Sequence, residues 1–447
     1  MPPRLMLPRL MLIGTALAVL TAGGVALHAP GQLGIGSDMR RNAFVAVCLL
    51  AGVFYAAAVR LVLRRDVASR GFWGIIAVAL LLRAIVLPAP AFLSNDINRY
   101  IWDGRVQAAG INPYRYVPTD PALAFLHDRT VFPFINRADT ARTIYPPLAQ
   151  AVFLTAAWLS PSGHAVKVLM VGAELIAMAA LVALLRHAGL PRERMLIYAW
   201  HPLPVWEFAG NGHVDALAIA CVALALLATA RLRPALAGIA LAGAVLAKVL
   251  PGVVLAALWR PRTLWLPAAF VATLILAYLP YLGVGPHVLG YLPGYAHEEG
   301  ISTGQGIYWL ALLDCVAALP RWAGPAYLAL LLAVLGGLSI AMTRAPPPEP
   351  GAPAMLRPAR DALVLGTVLM VAITPHYAWY FAWLLVPACV VPSAAVLFLT
   401  LASFTIYQDP IRSKLLWQGV LYAPFALLLL TGTMRRHWPL DAPARSR

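Results

Sequence analysis

Apolar blocks of about 18 to 22 residues recur from one end of the chain to the other, each long enough to cross a hydrocarbon core about 30 Å thick as a helix. That feature removes most folds from consideration. The blocks are continuous rather than alternating, so a membrane barrel is excluded. Of 447 residues, 61% are hydrophobic and 12% charged, with a mean hydropathy of +0.76. A soluble protein carries about twice that charged fraction. The expected fold is an all-α polytopic membrane protein of about 12 to 14 transmembrane helices with both termini inside. Leu10–Leu27 follows Arg4 and Arg9 as a signal peptide would, but its apolar run is too long for one and predicts a first spanning helix.

The net charge of +16, from 34 Lys+Arg against 18 Asp+Glu, belongs to segment ends. No basic face interleaved with exposed aromatics exists, so no nucleic-acid partner is expected. Basic clusters face the cytoplasm, which puts Arg4/Arg9, Arg60/Arg64/Arg65/Arg70, Arg186/Arg192/Arg194, Arg231/Arg233, Arg260/Arg262, Arg344/Arg357/Arg360 and Arg435/Arg436 inside. Spans near 10–27, 42–62 and 72–92 then place a large loop, 93–144, outside. Counting onward fails unless three blocks do not cross as single helices. The block 145–160 must be interfacial or re-entrant, 235–258 must be two short helices meeting at Lys248 and Pro251, and 306–319, which carries Asp314, must be too short. A segment at 193–209 runs outward. The chain is expected to divide into an N-terminal bundle (1–343), a Pro-rich cytoplasmic linker (344–361) and C-terminal helices (362–447). The four cysteines lie in apolar stretches without metal-ligand spacing.

With this topology the polar residues converge on one membrane face. Asp96, Arg99, Tyr100 and Asp103 are spaced i, i+3, i+4, i+7 and share one helical face. Arg99 bridging two acids accounts for the pattern as a surface helix. Asp96 at the end of an outward span is also placed to accept a proton from a hydroxyl. Gly110, Asn112-Pro113 and Tyr114 carry turn signals. Glu207, Asn211, His213 and Asp215 flank the helix breaker Gly212, and they read either as a packing lock or as the wall of a polar-substrate site. Lys248 at an outer turn either pairs with an acid or meets a phosphate. The aromatic run at His376, Tyr377, Trp379, Tyr380 and Trp383 fits an interfacial belt or a sugar platform, and His201 before Pro202 fits a kink. Glu298 and Glu299 read as solvated loop acids.

These motifs in this order resemble the GT-C superfold of integral-membrane glycosyltransferases: Asn95-Asp96-Ile97-Asn98-Arg99-Tyr100-Ile101-Trp102-Asp103-Gly104-Arg105, Gly110/Asn112-Pro113-Tyr114, Tyr145-Pro146-Pro147-Leu148, Glu207 with Asn211-Gly212-His213-Val214-Asp215, Lys248 with Pro251, and Thr374-Pro375-His376-Tyr377. The chain is most similar to the bacterial polyprenol-phosphate-mannose-dependent mannosyltransferases and their glycosyltransferase family 87 relatives, over about residues 72–385. The resemblance implies a GT-C-like bundle in the bacterial inner membrane with its active site outside. It implies a polyprenyl-phosphate-linked sugar as donor, a glycan or glycolipid as acceptor and Asp96 as the base. Lys248 with Arg99 or Arg105 would hold the phosphate. Asp103, Tyr100, Asn112, Tyr145, Glu207, Asn211, His213, Asp215, His376 and Tyr377 would hold substrate. No metal ligand is assigned; many GT-C enzymes carry two acids where this chain has Asn95-Asp96, which leaves a divalent cation open as cofactor. A carrier of lipid-linked sugars, or a scaffold, would use the same residues without a base.

Overall fold

The computed structural model describes residues 6–28, 37–64, 69–259, 263–346, 356–408 and 410–434. Arg4, Arg65, Arg260, Arg262, Arg435, Arg436 and residues 347–355 of the expected linker lie outside the described residues. Among those described, every regular element is helical. The chain opens with α1 (Met6–Leu27), α2 (Ser37–Arg64) and α3 (Ser69–Val86), and α1 packs against both of the others. Then come α4 (Asp96–Ala108), α5 (Pro147–Leu159) and α6 (Gly163–His187).

Six helices among the described residues are long and apolar enough to span a bilayer, and six shorter apolar helices accompany them. A count of 12 to 14 crossings would need the shorter ones as well. The long helices leave large apolar side chains facing outward, among them Val53, Ile275 and Leu332. Such a surface is stable against lipid and not against water. The chain is therefore a multi-pass membrane protein.

The three blocks that resisted simple counting are irregular in the fold. Helix α5 starts with Pro147 at its first position and runs 13 residues, or about 20 Å, short of a hydrocarbon core. The helix Pro234–Ala247 stops at Lys248, whose backbone is extended (φ −153, ψ 130). The chain resumes as a short 3-10 turn, Leu250–Val254, and a helix, Leu255–Leu258. Tyr308–Asp314 is only 7 residues long.

The segment expected to run outward at 193–209 is not one helix. It divides into Leu196–Ala199, Pro202–Pro204 and a π-helical turn, Val205–Gly210. Two prolines without N–H groups and His201 cause the interruption. The His201 ring accepts from the Leu203 N–H at 3.1 Å through Nδ1, and its Nε2 meets Thr400 Oγ1 at 3.0 Å. His201 thus caps the chain after the break, in keeping with a kink feature.

Loop 93–144 has a small core of its own. Ile97, Ile101, Trp102 and Val106 of α4 pack with Leu123, Val131 and Phe153. At Gly104 a Cβ would sit 2.3 Å from the Phe153 carbonyl oxygen, so a side chain there would push α4 off α5. Asp128 ties the loop together by accepting from the N–H groups of Thr130, Val131 and Phe132 and from Arg105. Burial pushes its carboxyl up, but the hydrogen bonds from Arg105, Val131 and Phe132 outweigh that and hold it well below the usual carboxylate range.

Candidate active site

Asp96 opens α4, immediately after a stretch held from behind. Asn211 Oδ1 accepts from the N–H groups of Phe92 and Leu93, both at 2.9 Å, and Asn211 Nδ2 donates to the Trp206 carbonyl at 2.8 Å. The chain can turn back there because Gly212 takes a left-handed conformation (φ 75). Ser94 Oγ accepts from the Asp96 N–H at 3.1 Å. Asp96 is half-buried, and among the described residues its carboxylate has no hydrogen-bond or ion-pair partner. Asp103, one face-repeat further on, differs. It is buried, accepts from Arg99 Nε at 2.9 Å and is reached by Gln150 Nε2 at 3.1 Å.

Two compartments meet along a shared wall, and Asp96 lines one of them. One, of about 530 Å³, has polar walls that include Asp96, Asn136, Arg137, Glu298 and Tyr377, with Trp379 among its aromatic walls. The other, of about 200 Å³, is mostly apolar and is lined by Val249, Leu250, Leu292, Ile301 and Ile373 among others. They share Ile144, Tyr145, Lys248, Tyr295 and Tyr380.

Lys248 stands at this junction because the helix break exposes it. Its Nζ lies 3.4 Å from Asp215 Oδ2 and 4.3 Å from the centre of the Tyr380 ring. Lys248 therefore pairs with an acid while it lines both compartments. Tyr295 and Tyr380 join hydroxyl to hydroxyl at 2.9 Å across the same wall.

The loop acids Glu298 and Glu299 are not free in solvent. Glu298 pairs with Arg137 at 2.6 Å. Glu299 Oε2 meets His376 Nδ1 at 2.9 Å, while His376 Nε2 faces the Gly306 carbonyl at 2.8 Å. Tyr377 donates to Glu299 Oε1 at 3.3 Å. Burial pushes the Glu299 carboxyl up, but the bonds from His376 and Tyr377 outweigh it and keep the group below the usual glutamate range. Burial, then the Glu299 charge, pushes the Tyr377 hydroxyl up to about 12, which keeps it a donor. Arg137 holds a left-handed backbone (φ 56), unusual for a residue with a Cβ. The sequence carries no local signal for these contacts, since Arg137 and Glu298 are 161 positions apart. The left-handed arginine shows only in the fold.

The remaining candidates sit behind the cavity walls, and in each case a protein partner accounts for the residue. His213 is fully buried and stacks on Trp379 at 3.9 Å, so the Trp ring, not the His ring, meets the cavity. Its Nδ1 bonds Glu207 at 3.0 Å, and Tyr407 donates to the same carboxylate at 2.6 Å. Arg99 also donates to the Ala141 carbonyl at 3.0 Å, and Arg105 pairs with Asp128 at 2.5 Å. Neither arginine is among the described residues that line the two compartments. Tyr100 stacks on Phe153 at 4.6 Å, and Asn112 Nδ2 donates to the Tyr281 carbonyl at 3.0 Å. Asp96, Lys248, Tyr145, His376 and Tyr377 are the sequence candidates on the walls themselves. Among the described residues no three His, Cys, Asp or Glu side chains group as a metal-ligand set.

A half-buried, unpartnered carboxylate, a lysine at a polar–apolar junction and an aromatic wall thus stand together on these walls. Residues 9–261 match the MptA_B family, described as Alpha-(1->6)-mannopyranosyltransferase, N-terminal domain. No curated protein and no solved structure matches. The matched region holds Asp96, Tyr145, Asp215 and Lys248, whereas Tyr295, Glu299, His376 and Tyr380 follow it. The match covers more than half of the chain, which therefore belongs to this family of alpha-(1->6)-mannopyranosyltransferases.

Proposed function

We propose that this mannosyltransferase takes its sugar from a polyprenyl-phosphate-linked donor. It passes the sugar to a hydroxyl of an envelope glycan or glycolipid, at the extracytoplasmic face of a bacterial inner membrane. The observation that carries the reading is the junction at Lys248. A lipid-phosphate sugar has an apolar tail, an anionic middle and a polar head. The cavity offers apolar walls, a cation and polar walls in the same order. No nucleotide-binding motif occurs in the sequence, which suits a donor without a nucleotide.

The chemistry is a single displacement. Asp96 takes the proton from the acceptor hydroxyl as its oxygen attacks the anomeric carbon. The bond from that carbon to the phosphate oxygen breaks on the opposite side, and the electron pair leaves with the phosphate. Lys248 stabilises the departing charge, with Arg137 the second cation on the polar wall, in place of Arg99 and Arg105. The stack of Trp379 on His213 supplies a flat apolar face for the sugar ring. Attack opposite the leaving group inverts the anomeric carbon, so a β-linked donor yields an α-linked product.

The test is transfer by the full chain in proteoliposomes, using a short-chain polyprenyl-phosphate mannose and an alkyl α-mannoside. Asp96→Asn should lower the rate by about 10² to 10⁴ and leave donor affinity within about twofold. Unchanged transfer in that variant would remove Asp96 as base. Translocation of the lipid-linked sugar that ignores the substitution would instead identify a carrier.

A further inference from the structure

Arg60 and Arg64 lie in the last turns of α2, four positions apart and so on one helical face. Both line a groove of about 610 Å³ formed by α2, the helix Ala394–Ala402 and the end of the helix Pro410–Met434. Its apolar lining includes Leu397, Phe398, Leu401 and Leu428, each half-buried. Gly52 lets α2 come this close, since a Cβ there would lie 3.2 Å from Leu401 Cδ2. No carboxylate is among the described lining residues. Among the described residues neither guanidinium has a hydrogen-bond or ion-pair partner, and both side chains are exposed. Like charges at this spacing repel each other, so the pair is most favourable with an anion between its members.

The groove is far from the Asp96 compartment. Near the start of α2 the Phe44 ring packs edge-on against Phe92 at 5.2 Å, and Phe92 lines that compartment with Asp96. Arg64 follows Phe44 by about 20 residues, or about 30 Å of helix, the thickness of a hydrocarbon core. We infer that the groove binds an anionic glycerophospholipid from the leaflet opposite the candidate active site. The lipid phosphate sits between the two guanidinium groups, whose N–H forks suit it. One acyl chain follows the apolar floor formed by Leu397, Phe398, Leu401 and Leu428. A zwitterionic lipid would bring its cationic end beside two arginines with no carboxylate to receive it. Basic pockets between spanning helices favour anionic headgroups on the same grounds. The bound lipid takes no part in transfer. It braces α2 against the C-terminal helices and stabilises the fold by binding the folded state alone.

Native mass spectrometry of the full chain in detergent, titrated with phosphatidylglycerol or with phosphatidylcholine of the same acyl chains, tests it. Phosphatidylglycerol is expected to be retained preferentially and to raise the melting temperature. The double variant Arg60→Gln/Arg64→Gln should weaken that binding by about tenfold or more, as for lost charge-assisted bonds, and abolish the lipid-dependent rise. Leu428→Trp, which keeps both charges and fills the floor, should weaken it as well. Arg231→Gln/Arg233→Gln removes two exposed arginines outside the groove and should leave binding within about twofold of wild type. Neither groove arginine has a described partner, so the double variant should keep the fold, and its melting curve without lipid checks that. Equal retention of the two lipids, or equal loss in the two arginine double variants, overturns the site. Displacement of phosphatidylglycerol by millimolar inorganic phosphate would make it a site for the free anion and overturn the lipid.

Discussion

Asp96 and Asp103 share one face of α4 and have opposite fates. Asp103 is committed to Arg99 and Gln150, so its negative charge is used in holding the loop to α5. Asp96 lines the polar compartment with no carboxylate partner among the described residues, as the proposed base would need. Asp103→Asn should therefore act on stability, costing about 3 to 5 kcal/mol for a buried pair broken on one side. Transfer per folded molecule should hold within a few-fold, which denaturation curves and active-site titration together would show. Lys248→Met should raise the donor KM by about tenfold or more, as expected for a lost charge-assisted bond, whereas Lys248→Arg should recover part of it. A donor titration of both variants decides this. At this scale the order of the motifs singled out Asp96, Tyr145, Lys248, His376 and Tyr377, which the fold brings to the walls of the two compartments, along with others that it does not. It did not show which carboxylate was free, because that depends on partners such as Gln150, 47 positions away from Asp103.

Among elements, the readable features were those with a local cause. Proline at the start of α5 and the lysine inside an apolar block foretold a short helix and a broken one, and both occur. In the loop carrying Glu298 and Glu299, Glu298 is exposed as expected, but the partners of the two acids, Arg137 and His376, are too distant in sequence to be read there. Closure of this loop should depend on pH. A carboxyl held below its ordinary value contributes stability that is complete above the unfolded value and lost as pH falls through the depressed one. The Glu299 contacts should thus be intact above about pH 5 and weaken only below about pH 4. Hydrogen exchange in residues 292–306 should accelerate below that point, and acceleration near neutrality would contradict the assignment. At the α4–α5 contact, Gly104→Ala should cost about 1 to 3 kcal/mol through overpacking against the Phe153 carbonyl. A melting curve for that variant gives the answer.

For the whole molecule, the bundle is locked by polar groups in apolar helices. Arg83 of α3 and Glu174 of α6 pair at 2.6 Å with almost no exposure, and Arg83 also donates to the Ala199 carbonyl at 2.7 Å. Neither residue stood out in the sequence, since each is a single charge in an apolar run and only packing shows that they meet. Arg83→Met alone should destabilise by about 3 to 5 kcal/mol, and Arg83→Met with Glu174→Leu should regain most of that. The overall class was legible because helix length and apolarity are properties of contiguous residues. The site was legible only in outline because it is assembled from segments on both sides of residue 261, where the family match ends. The most direct measurement is a structure of the chain in nanodiscs with a phosphonate analogue of polyprenyl-phosphate mannose. The account expects the phosphonate within about 4 Å of Lys248, the lipid against Leu250 and Ile373, and the anomeric carbon facing Asp96 across one hydroxyl. Density that puts the sugar away from the Asp96 compartment, or the tail outside the apolar one, contradicts it.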